Sequence, residues 1–303
     1  MVEMKVALTI GNFDAVHRGH VSIVETARSA VGDGRVVVWS FNPSPTTFLH
    51  PEKEIERLTV FSTRRALLLE AGADEVVELI PTQELMQQTP EAFVAKSVDL
   101  ISPTVLVEGE GFRFGVERSG TTSDLVRLGN EYGFDTILVP PLEISLQDHS
   151  LHRASSSLVR SLIKRGRVED AQIVLGRPVC VTGVVQAGDQ RGRAMNYPTA
   201  NIGHIETLLP ADGIYAGRGV LEDGSTYPAA ISIGTKPTFG EHDRTCEAYL
   251  VGFHGSLQSY GWKLELFFDK WIRDQIRFDS VEQLQAAIQE DVVQTIRLLE
   301  RNS

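Results

Sequence analysis

Short apolar runs alternate with helical patterns from residue 5 to about residue 141. The runs are Val6–Ile10, Arg35–Phe41, Glu75–Ile80, Thr104–Val107 and Thr136–Val139, and the helical patterns are His20–Val31, Ser62–Ala71, Glu91–Leu100 and Ser123–Tyr132. Apolar strands separated by helices predict a parallel sheet that is covered on both faces. Because ligands bind at the carboxyl ends of such strands, a site is expected in the loops that begin at Gly11, Phe41 and Glu108.

Two short helices are expected after this sheet, over residues 158–165 and 169–175. Three serines, at 155–157, can cap the first helix, and Gly166 and Gly176 follow the two segments, as glycine often does at helix ends. The predicted domain boundary falls after these helices. An N-terminal domain then covers residues 1–176, with a helical linker over 155–176, and a C-terminal domain covers 177–303.

The pattern changes from Val179 onward to partly alternating strands separated by glycine-rich turns. The predicted strands are Val179–Val185, Ile214–Leu221, Pro228–Ile233, Glu247–Phe253 and Lys263–Phe268. Their spacing favours a small antiparallel β-barrel. A terminal helix is expected to begin with a capping box at Ser280 and Gln283, and its apolar stripe is expected to pack on the barrel. The stripe consists of Val281, Leu284, Ile288, Val292, Ile296 and Leu299.

Composition and charge narrow the class of protein and its partners. The chain has 42% hydrophobic and 23% charged residues, which is typical of a protein that folds around a core. Acidic side chains outnumber basic ones by 40 to 29, and the net charge of −11 argues against nucleic acid as a partner. No apolar run approaches the ~18 residues of a membrane span, so a cytoplasmic protein without a membrane partner is expected, its oligomeric state left open. Cys180 and Cys246 fit no metal spacing and are expected to be small buried side chains.

The segment from Gly11 to His20 joins the first predicted strand to the first helix. Gly11 permits a tight turn, and a helix N-terminus offers unpaired N–H groups to phosphates. His17 and His20 are three residues apart, so both imidazoles can face one ligand. An isolated pair of this kind would favour ordinary core or surface histidines. At the end of a first parallel strand, however, His17-Arg18-Gly19-His20 resembles the signature of nucleotidylyltransferases, which implies that the histidines bind phosphates.

The stretch Gly11-Asn12-Phe13-Asp14-Ala15-Val16-His17-Arg18-Gly19-His20 resembles the N-terminal module of bifunctional riboflavin kinase/FMN adenylyltransferases, the prokaryotic FAD synthetase family. Segments that begin at Phe41, Gly109 and Ser156 follow in the family's order. The resemblance implies a Rossmann-like nucleotidylyltransferase domain in which His17, His20 and Arg160 act on the phosphates. It also implies substrate or nucleotide contacts for Gly11, Asn12, Phe13, Asp14, Phe41, Pro43, Gly109, Phe112, Ser156 and Ser157.

Four positions depart from the family's pattern. Ala15 replaces a usual glycine, Ser44 a histidine, Gly111 an aspartate or asparagine, and Leu158 a frequent arginine. Each change removes a donor, an acceptor or backbone freedom near the expected flavin and phosphate positions. Two interpretations follow: an active adenylyltransferase, or a domain retained for structure beside a working kinase.

A second motif, Pro198-Thr199-Ala200-Asn201, lies in the C-terminal part. On an extended segment Thr199 and Asn201 share one side and offer oxygen ligands to a hard cation, although four residues alone would favour an ordinary turn. Residues from about 183 to 301 resemble a riboflavin kinase domain, which implies that Thr199 and Asn201 bind Mg²⁺ with ATP and that Glu247 is the general base. Implied substrate contacts are Gly188, Arg191, Gly192, Pro198, Tyr215, Tyr260 and Arg273.

The resemblance thus implies synthesis of flavin cofactors. Riboflavin and ATP would give FMN, and FMN and a second ATP would give FAD, with Mg²⁺ in support. Simpler alternatives are a solvated strand carboxylate at Glu247 and a surface ion pair at Arg273. A third interpretation is a protein that binds flavin without turnover. The combination of Thr199, Asn201 and Glu247 argues against it, because simple binding requires neither a metal pair nor a base.

Overall fold

The computed structural model describes residues 4–187, 197–235, 244–255 and 260–300. The chain forms two compact units, residues 1–156 and 157–303, and each is described by itself. The predicted site residues Gly188, Arg191 and Gly192 lie outside the described residues. The boundary after residue 176 stays a prediction. The two short helices of the linker region belong to the second unit, except that Ser156, the first residue of the first helix, belongs to the first unit.

The first unit contains a five-stranded sheet in which each neighbouring pair is parallel, as predicted. In space the strands follow the order β3-β2-β1-β4-β5. Their bounds are β1 Val6–Gly11, β2 Arg35–Phe41, β3 Glu75–Leu79, β4 Val105–Gly109 and β5 Asp135–Val139.

Helices cover both faces of this sheet. Their bounds are α1 Arg18–Val31, α2 Pro45–Leu49, α3 Phe61–Glu70, α4 Gln83–Met86, α5 Pro90–Ile101 and α6 Thr122–Tyr132. Successive strand residues enter two separate cores: Ala7 packs with α1 and α3, and Leu8 packs with α5 and α6. Burial on both faces explains why the strands are continuous apolar runs. Helices α2 and α4 were not predicted, because neither is long enough to show a helical period.

A short hairpin completes the first unit. It consists of β6 Glu143–Ser145 and β7 Leu151–Arg153, which pair antiparallel. The hairpin follows the carboxyl end of β5 and brings Arg153 opposite Glu143. The sequence prediction had no strands here, since three residues are too few to show alternation.

The second unit begins with α7 Ser156–Lys164 and α8 Val168–Leu175, and α8 packs on β8 and β13 of a closed six-stranded barrel. Around the barrel the strands follow the order β10-β11-β12-β9-β8-β13, and the pairs are antiparallel. The bounds are β8 Val179–Gln186, β9 Ala200–Gly203, β10 Gly213–Leu221, β11 Thr226–Thr235, β12 Arg244–Leu250 and β13 Lys263–Arg273.

The barrel is confirmed, but three strand predictions needed correction. Strand β12 ends at Leu250, because a turn follows in which Gly252 has a φ of 77°. Strand β13 runs five residues beyond the predicted end at Phe268 and pairs with β10 over this extension. The short strand β9 was missed and contains part of the Pro198–Asn201 motif.

The terminal helix, α9 Val281–Glu300, contacts β10, β11 and β13. The Ser280 hydroxyl accepts a hydrogen bond from the Gln283 N–H at 3.2 Å, and the Gln283 side chain accepts from the Asp279 N–H at 3.3 Å instead of from Ser280. The predicted apolar stripe is only partly buried, and Val281 is exposed. The buried residues of the helix are Asp291 and Thr295, so the contact face is rotated away from the stripe towards a polar pair.

Both cysteines agree with the expectation of small buried side chains. Cys246 is buried and Cys180 partly so, and neither forms a disulfide. Burial raises the pKa of the Cys180 thiol to about 12. Within the described ranges, every helix is too short or too polar to cross a lipid bilayer.

Candidate active sites

The loop between β1 and α1 has an unusual backbone. Phe13, Ala15 and Val16 have φ values of 48°, 77° and 43°. Residues with a Cβ rarely adopt positive φ, and such a conformation persists only where the surroundings hold it in place. At position 15 the family's usual glycine would meet this requirement without strain.

Asp14 and Arg64 hold this loop. The Asp14 carboxylate accepts hydrogen bonds from the N–H groups of Leu58 at 3.1 Å and Thr59 at 3.0 Å. Arg64 is buried and donates to the carbonyl groups of Asn12 at 2.9 Å and Phe41 at 2.7 Å. The sequence predicted a substrate contact for Asp14. That contact stays a prediction, and in the structure the carboxylate binds the backbone of a segment 44 residues away.

The predicted substrate contact of Phe13 also stays a prediction. Its side chain is buried and packs edge-on against the His20 ring, with centroids 5.1 Å apart. The ring also lies over Gly11, where an added Cβ would be 3.1 Å from it. Phe13 therefore supports a histidine and the turn.

His17 and His20 lie together, as the spacing predicts. Their rings are stacked with centroids 3.7 Å apart. His17 is the N-cap of α1, and its Nδ1 accepts a hydrogen bond from the His20 N–H at 3.3 Å. Because Nδ1 is an acceptor, neutral His17 has its proton on Nε2, which becomes the hydrogen-bond donor of the ring. Gly19 leaves room for this arrangement, since a Cβ there would be 3.2 Å from the His17 ring.

Both histidines line a cavity of about 390 Å³ at the carboxyl edge of the sheet. One group of lining residues is polar or glycine and includes Gly109, Glu110, Gly111 and Arg153. Another is apolar and consists of Ile23, Val139, Pro140, Pro141 and Leu142. Apolar surface suits a planar base, and imidazoles beside a helix N-terminus suit phosphates. The cavity therefore has the chemistry to accept a nucleotide.

Sequence reasoning missed the apolar lining and Arg153. The run Val139–Leu142 begins at the last residue of β5, so the rule that ligands gather at strand ends could have identified it. Ile23 is three residues after His20 and therefore shares its face of α1. Arg153 had no comparable signal, because the hairpin that carries it was not predicted.

The other predicted residues of the first unit lie in different surroundings. Phe41 and Phe112 pack partly buried against the core, and Pro43 is exposed after a cis peptide bond with Asn42. The Ser156 hydroxyl donates to the Asp14 carbonyl at 2.7 Å, so it also supports the loop. Ser157 and Arg160 belong to α7 in the second unit, and their predicted contacts with phosphate stay predictions.

The structure also shows the surroundings of two residues that depart from the family's pattern, Ser44 and Gly111. Ser44 is the N-cap of α2, and its hydroxyl accepts from the Thr47 N–H at 3.1 Å. Gly111 lines the cavity, and a Cβ added there would meet no atom within 4 Å. A larger residue at 111 would therefore face open space, so its absence does not disturb the fold.

Glu108 is a buried carboxyl that the sequence did not single out. It is 3% exposed at the end of β4, next to Gly109 of the cavity wall. Its Oε1 accepts hydrogen bonds from the Ile10 N–H at 2.6 Å and from the Thr9 hydroxyl at 3.5 Å. Burial raises the pKa of this carboxyl well above its usual value, although both hydrogen bonds oppose the shift.

In the second unit, Thr199, Asn201 and Glu247 meet on the outer face of the barrel. The Thr199 hydroxyl donates to Glu247 Oε2 at 3.3 Å. Asn201 on β9 lies directly opposite Glu247 on β12. The neighbours of Glu247 on its strand, Cys246 and Ala248, are buried, so the carboxylate points outward by strand alternation.

These three side chains fit a magnesium ion. A hydroxyl, an amide and a carboxylate all offer the oxygen ligands that Mg²⁺ prefers, and the ion usually retains waters and substrate phosphates as further ligands. No cluster of three or more His, Cys, Asp or Glu side chains suited to a metal occurs in the described parts of the chain. A site completed by substrate phosphates needs no such cluster.

The outer row that contains Asn201 and Glu247 continues across the barrel. Ser232 on β11 lies opposite Glu247, and Ile214 on β10 lies opposite Ser232. The side-chain amide of Gln275 donates to the Ser232 hydroxyl at 3.1 Å. Sequence reasoning missed Ser232 and Gln275, although the alternation of β11 indicates that Ser232 points outward.

Arg273 lies opposite Ile214 at the end of this row, but its guanidinium is engaged. It donates to both carboxylate oxygens of Asp291 on α9, at 2.9 and 2.7 Å, and to the Asp274 carbonyl at 3.0 Å. The sequence predicted a flavin or phosphate contact with an ion pair as the alternative. The structure shows the ion pair, with a buried partner.

The remaining predicted kinase residues differ in exposure. Tyr215 is fully buried, packs edge-on against Phe268 and donates to the Ala211 carbonyl at 2.7 Å. Burial raises the pKa of the Tyr215 hydroxyl to about 12. It belongs to the barrel core, and its predicted substrate contact stays a prediction. Pro198 and Tyr260 are exposed, so both are open to a ligand.

The two units together define an enzyme that uses nucleotides in group transfer. Comparison with protein families agrees with this class and identifies it further. A family model described as FAD synthetase matches residues 2–153, and one described as riboflavin kinase matches residues 175–299. The chain belongs to the bifunctional riboflavin kinase/FMN adenylyltransferase family.

Individual relatives support this assignment over nearly the whole chain. The bifunctional riboflavin kinase/FMN adenylyltransferase of Escherichia coli K12 is 31% identical over 290 residues, covering 94% of this chain and 90% of that protein. The corresponding protein of Pseudomonas fluorescens is 33% identical and covers 94% of this chain and 90% of its own length. A crystal structure described as a macrolide-efflux protein from Streptococcus pneumoniae is 28% identical, with a TM-score of 0.84 over 96% of this chain and 93% of that one.

Proposed function

We propose that this chain converts riboflavin to FMN in its second unit and FMN to FAD in its first. In the first reaction the riboflavin 5′-hydroxyl takes the γ-phosphoryl group of ATP and ADP is released. In the second, the FMN phosphate attacks the α-phosphorus of ATP and pyrophosphate is released. The observation that carries the proposal is the meeting of Thr199, Asn201 and Glu247 on one face of a barrel that matches the riboflavin kinase family.

Glu247 is the general base of the kinase reaction in this proposal. Its carboxylate accepts the proton of the 5′-hydroxyl as the oxygen bonds to the γ-phosphorus. The Thr199 hydroxyl donates to this carboxylate at 3.3 Å and keeps it on the outer face. Thr199 and Asn201 would hold Mg²⁺ together with the ATP phosphates. When bound, the ion supplies positive charge that offsets the charge developing on the phosphoryl oxygens.

The first unit performs adenylyl transfer by position and charge. The apolar group Ile23 and Val139–Leu142 holds the base of ATP, and His17 Nε2 and the N–H groups at the start of α1 donate to its phosphates. Arg160, on α7 of the second unit, stays a predicted phosphate contact. No covalent enzyme intermediate is needed, since the FMN phosphate is itself the nucleophile.

Three of the four departures from the family's pattern, Ala15, Ser44 and Gly111, are compatible with this activity. Ala15 adopts the positive φ that the family's glycine would adopt, so the course of the loop is retained. Ser44 caps a helix, and Gly111 leaves open space in the cavity. His17 and His20 remain stacked beside the cavity, which favours an active site over a domain kept for structure.

The test uses two separate substrates with the full chain. Riboflavin, ATP and Mg²⁺ should yield FMN and ADP followed by FAD, and FMN with ATP and Mg²⁺ should yield FAD and pyrophosphate. Removal of Mg²⁺ with a chelator should stop both reactions. FMN as the final product would contradict the adenylyl step alone, and no phosphorylation of riboflavin would contradict the kinase assignment. Retention of bound riboflavin without any product would support the third interpretation, a flavin-binding protein.

A further inference from the structure

Strand β1 is paired very differently with its two neighbours. Its register with β2 covers six residue pairs, from Val6–Arg35 to Gly11–Ser40. Within the same part of the chain its register with β4 covers only Ala7–Val105 and Leu8–Leu106. The hydrogen-bonded ladder between β1 and β4 thus ends well before the carboxyl edge of the sheet. These two strands mark the switch point of the sheet, since β2 and β3 follow on one side of β1, and β4 and β5 lie on the other. Such switch points are where open α/β sheets bind ligands.

The Glu108 side chain occupies the point where this ladder ends. The Ile10 N–H would donate to a β4 carbonyl if the ladder continued, and it donates to Glu108 Oε1 at 2.6 Å instead. The Thr9 hydroxyl reaches the same oxygen at 3.5 Å. Glu108 is 3% exposed, so its carboxyl is shielded from water and interacts with these backbone and side-chain groups.

The two strands joined by Glu108 carry two walls of the nucleotide cavity. The segment after β1 supplies His17, Gly19 and His20, and the end of β4 with the two residues after it supplies Gly109, Glu110 and Gly111. Ile10 immediately precedes the loop of the first wall, and Glu108 immediately precedes the second wall. The contact at 2.6 Å therefore links the two strands directly beside the cavity.

We propose that Glu108 is a positioning residue of the adenylyltransferase site, which sets the spacing of the histidine wall and the glycine wall by holding the Ile10 amide. This inference rests on the proposed adenylyl transfer, but it concerns a residue outside the described phosphate contacts. Glu108 does not touch the substrate. It acts through the backbone of β1, and its effect should fall on ATP binding more than on the chemical step.

Two variants separate the hydrogen bond from the volume of the side chain. Burial favours the neutral carboxylic acid, and Glu108→Gln retains the same shape and an acceptor oxygen for Ile10. Glu108→Leu has a similar volume but no acceptor, so the Ile10 N–H loses its partner. Glu108→Asp retains the carboxyl on a shorter side chain and should draw the strands together or lengthen the contact.

The first measurement is FAD formation from FMN at varied ATP. Glu108→Leu should raise the KM for ATP by about tenfold or more with a smaller change in kcat, since misplacing binding groups by a fraction of an ångström has effects of this order. Glu108→Gln should match the wild type, and Glu108→Asp should fall between. Riboflavin phosphorylation by the same preparations should be unchanged, because it takes place in the other unit. A loss confined to kcat in Glu108→Leu would contradict the positioning role.

A second measurement does not depend on activity. Amide hydrogen exchange of Val6–Gly11 and Val105–Gly111 should be faster in Glu108→Leu than in the wild type and no faster in Glu108→Gln. If the wild type makes no FAD, the proposed function fails, and this exchange pattern still decides whether Glu108 joins the walls. If Glu108→Leu fails to fold, the Asp and Gln variants provide the comparison. Wild-type exchange and KM in both Leu and Asp variants would overturn the proposal.

Discussion

Thr199 donates its hydroxyl hydrogen bond to the Glu247 carboxylate at 3.3 Å, which links the start of β9 to the middle of β12. The contact joins the two parts of the chain that the kinase reaction needs: a ligand set for a cation and a carboxylate beside it. It also orients Glu247 through a residue 48 positions earlier in the chain. Changes at this contact should therefore alter FMN formation and leave FAD formation from supplied FMN unchanged.

Glu247→Gln should lower the rate of FMN formation by about a hundredfold to ten-thousandfold, because an amide cannot accept the 5′-hydroxyl proton. FAD formation from supplied FMN should be unchanged. The matched control is Glu265→Gln, an exposed glutamate on β13 of the same barrel, which should leave both rates unchanged. A Glu247→Gln protein that phosphorylates riboflavin at the normal rate would contradict the role of base.

His17→Asn separates the two functions of the His17 side chain. The asparagine amide can still cap α1 by accepting from the His20 N–H, but it lacks the Nε2 donor. FAD formation should fall by about a hundredfold while stability changes little. His17→Ala loses the cap as well, and should also lower the free energy of unfolding by about 1 kcal/mol. Equal FAD synthesis by the wild type and His17→Asn would show that the imidazole has no part in transfer.

Ala15→Gly tests the strained loop. Relief of the left-handed backbone at φ 77° favours glycine by about 1–2 kcal/mol. Greater backbone freedom in the unfolded chain and the lost methyl group oppose it by roughly the same amount. The free energy of unfolding should therefore be unchanged or higher by up to about 1 kcal/mol. Ala66→Gly, at an exposed position inside α3, should instead lower it by about 1 kcal/mol. Equal losses in urea unfolding of both variants would contradict the strain at residue 15.

Asp291→Ala tests whether Arg273 attaches the terminal helix to the barrel. The carboxylate is 6% exposed and the Arg273 side chain 25% exposed, so the pair is partly shielded from solvent. Removing one partner of a buried pair costs about 3–5 kcal/mol, and partial exposure reduces this to about 2 kcal/mol here. Arg273→Ala should cost a similar amount, and the double variant should cost little more than either. Additive losses in urea unfolding would show that the two residues act independently.

Much of the architecture follows from the sequence because burial sets the pattern. Residues such as Ala7 and Leu8 face opposite cores, so the strands of the sheet are mainly continuous apolar runs and easy to find. Helices α2 and α4 and the short strand β9 were missed, since periodicity cannot show within four or five residues.

The motifs located both candidate sites, but they could not distinguish a residue that faces ligand from one that holds the site together. Asp14 is bound to a segment 44 residues away, and Arg273 to a helix residue 18 positions later. Contacts between residues so far apart in the sequence leave no local pattern from which they could be predicted. Asp291 illustrates the same limit, because a charged residue on a helix is normally expected to face solvent.

The buried Glu108 carboxyl should make the stability of the first unit depend on pH. Its folded-state pKa is raised by burial above the unfolded value of about 4.3, so the unfolded chain loses this proton first as pH rises. The stability that the neutral acid contributes is complete below the unfolded pKa. It is lost as pH rises towards the folded pKa, by about 1.4 kcal/mol per pH unit. Glu108→Gln has no proton to lose, and its advantage over the wild type should grow from about pH 5 upward. The measurement is urea unfolding of both proteins across this range, followed by amide exchange of the β1 and β4 peptides. Parallel pH profiles for the two proteins would show that Glu108 is ionised in the folded state, contrary to its burial.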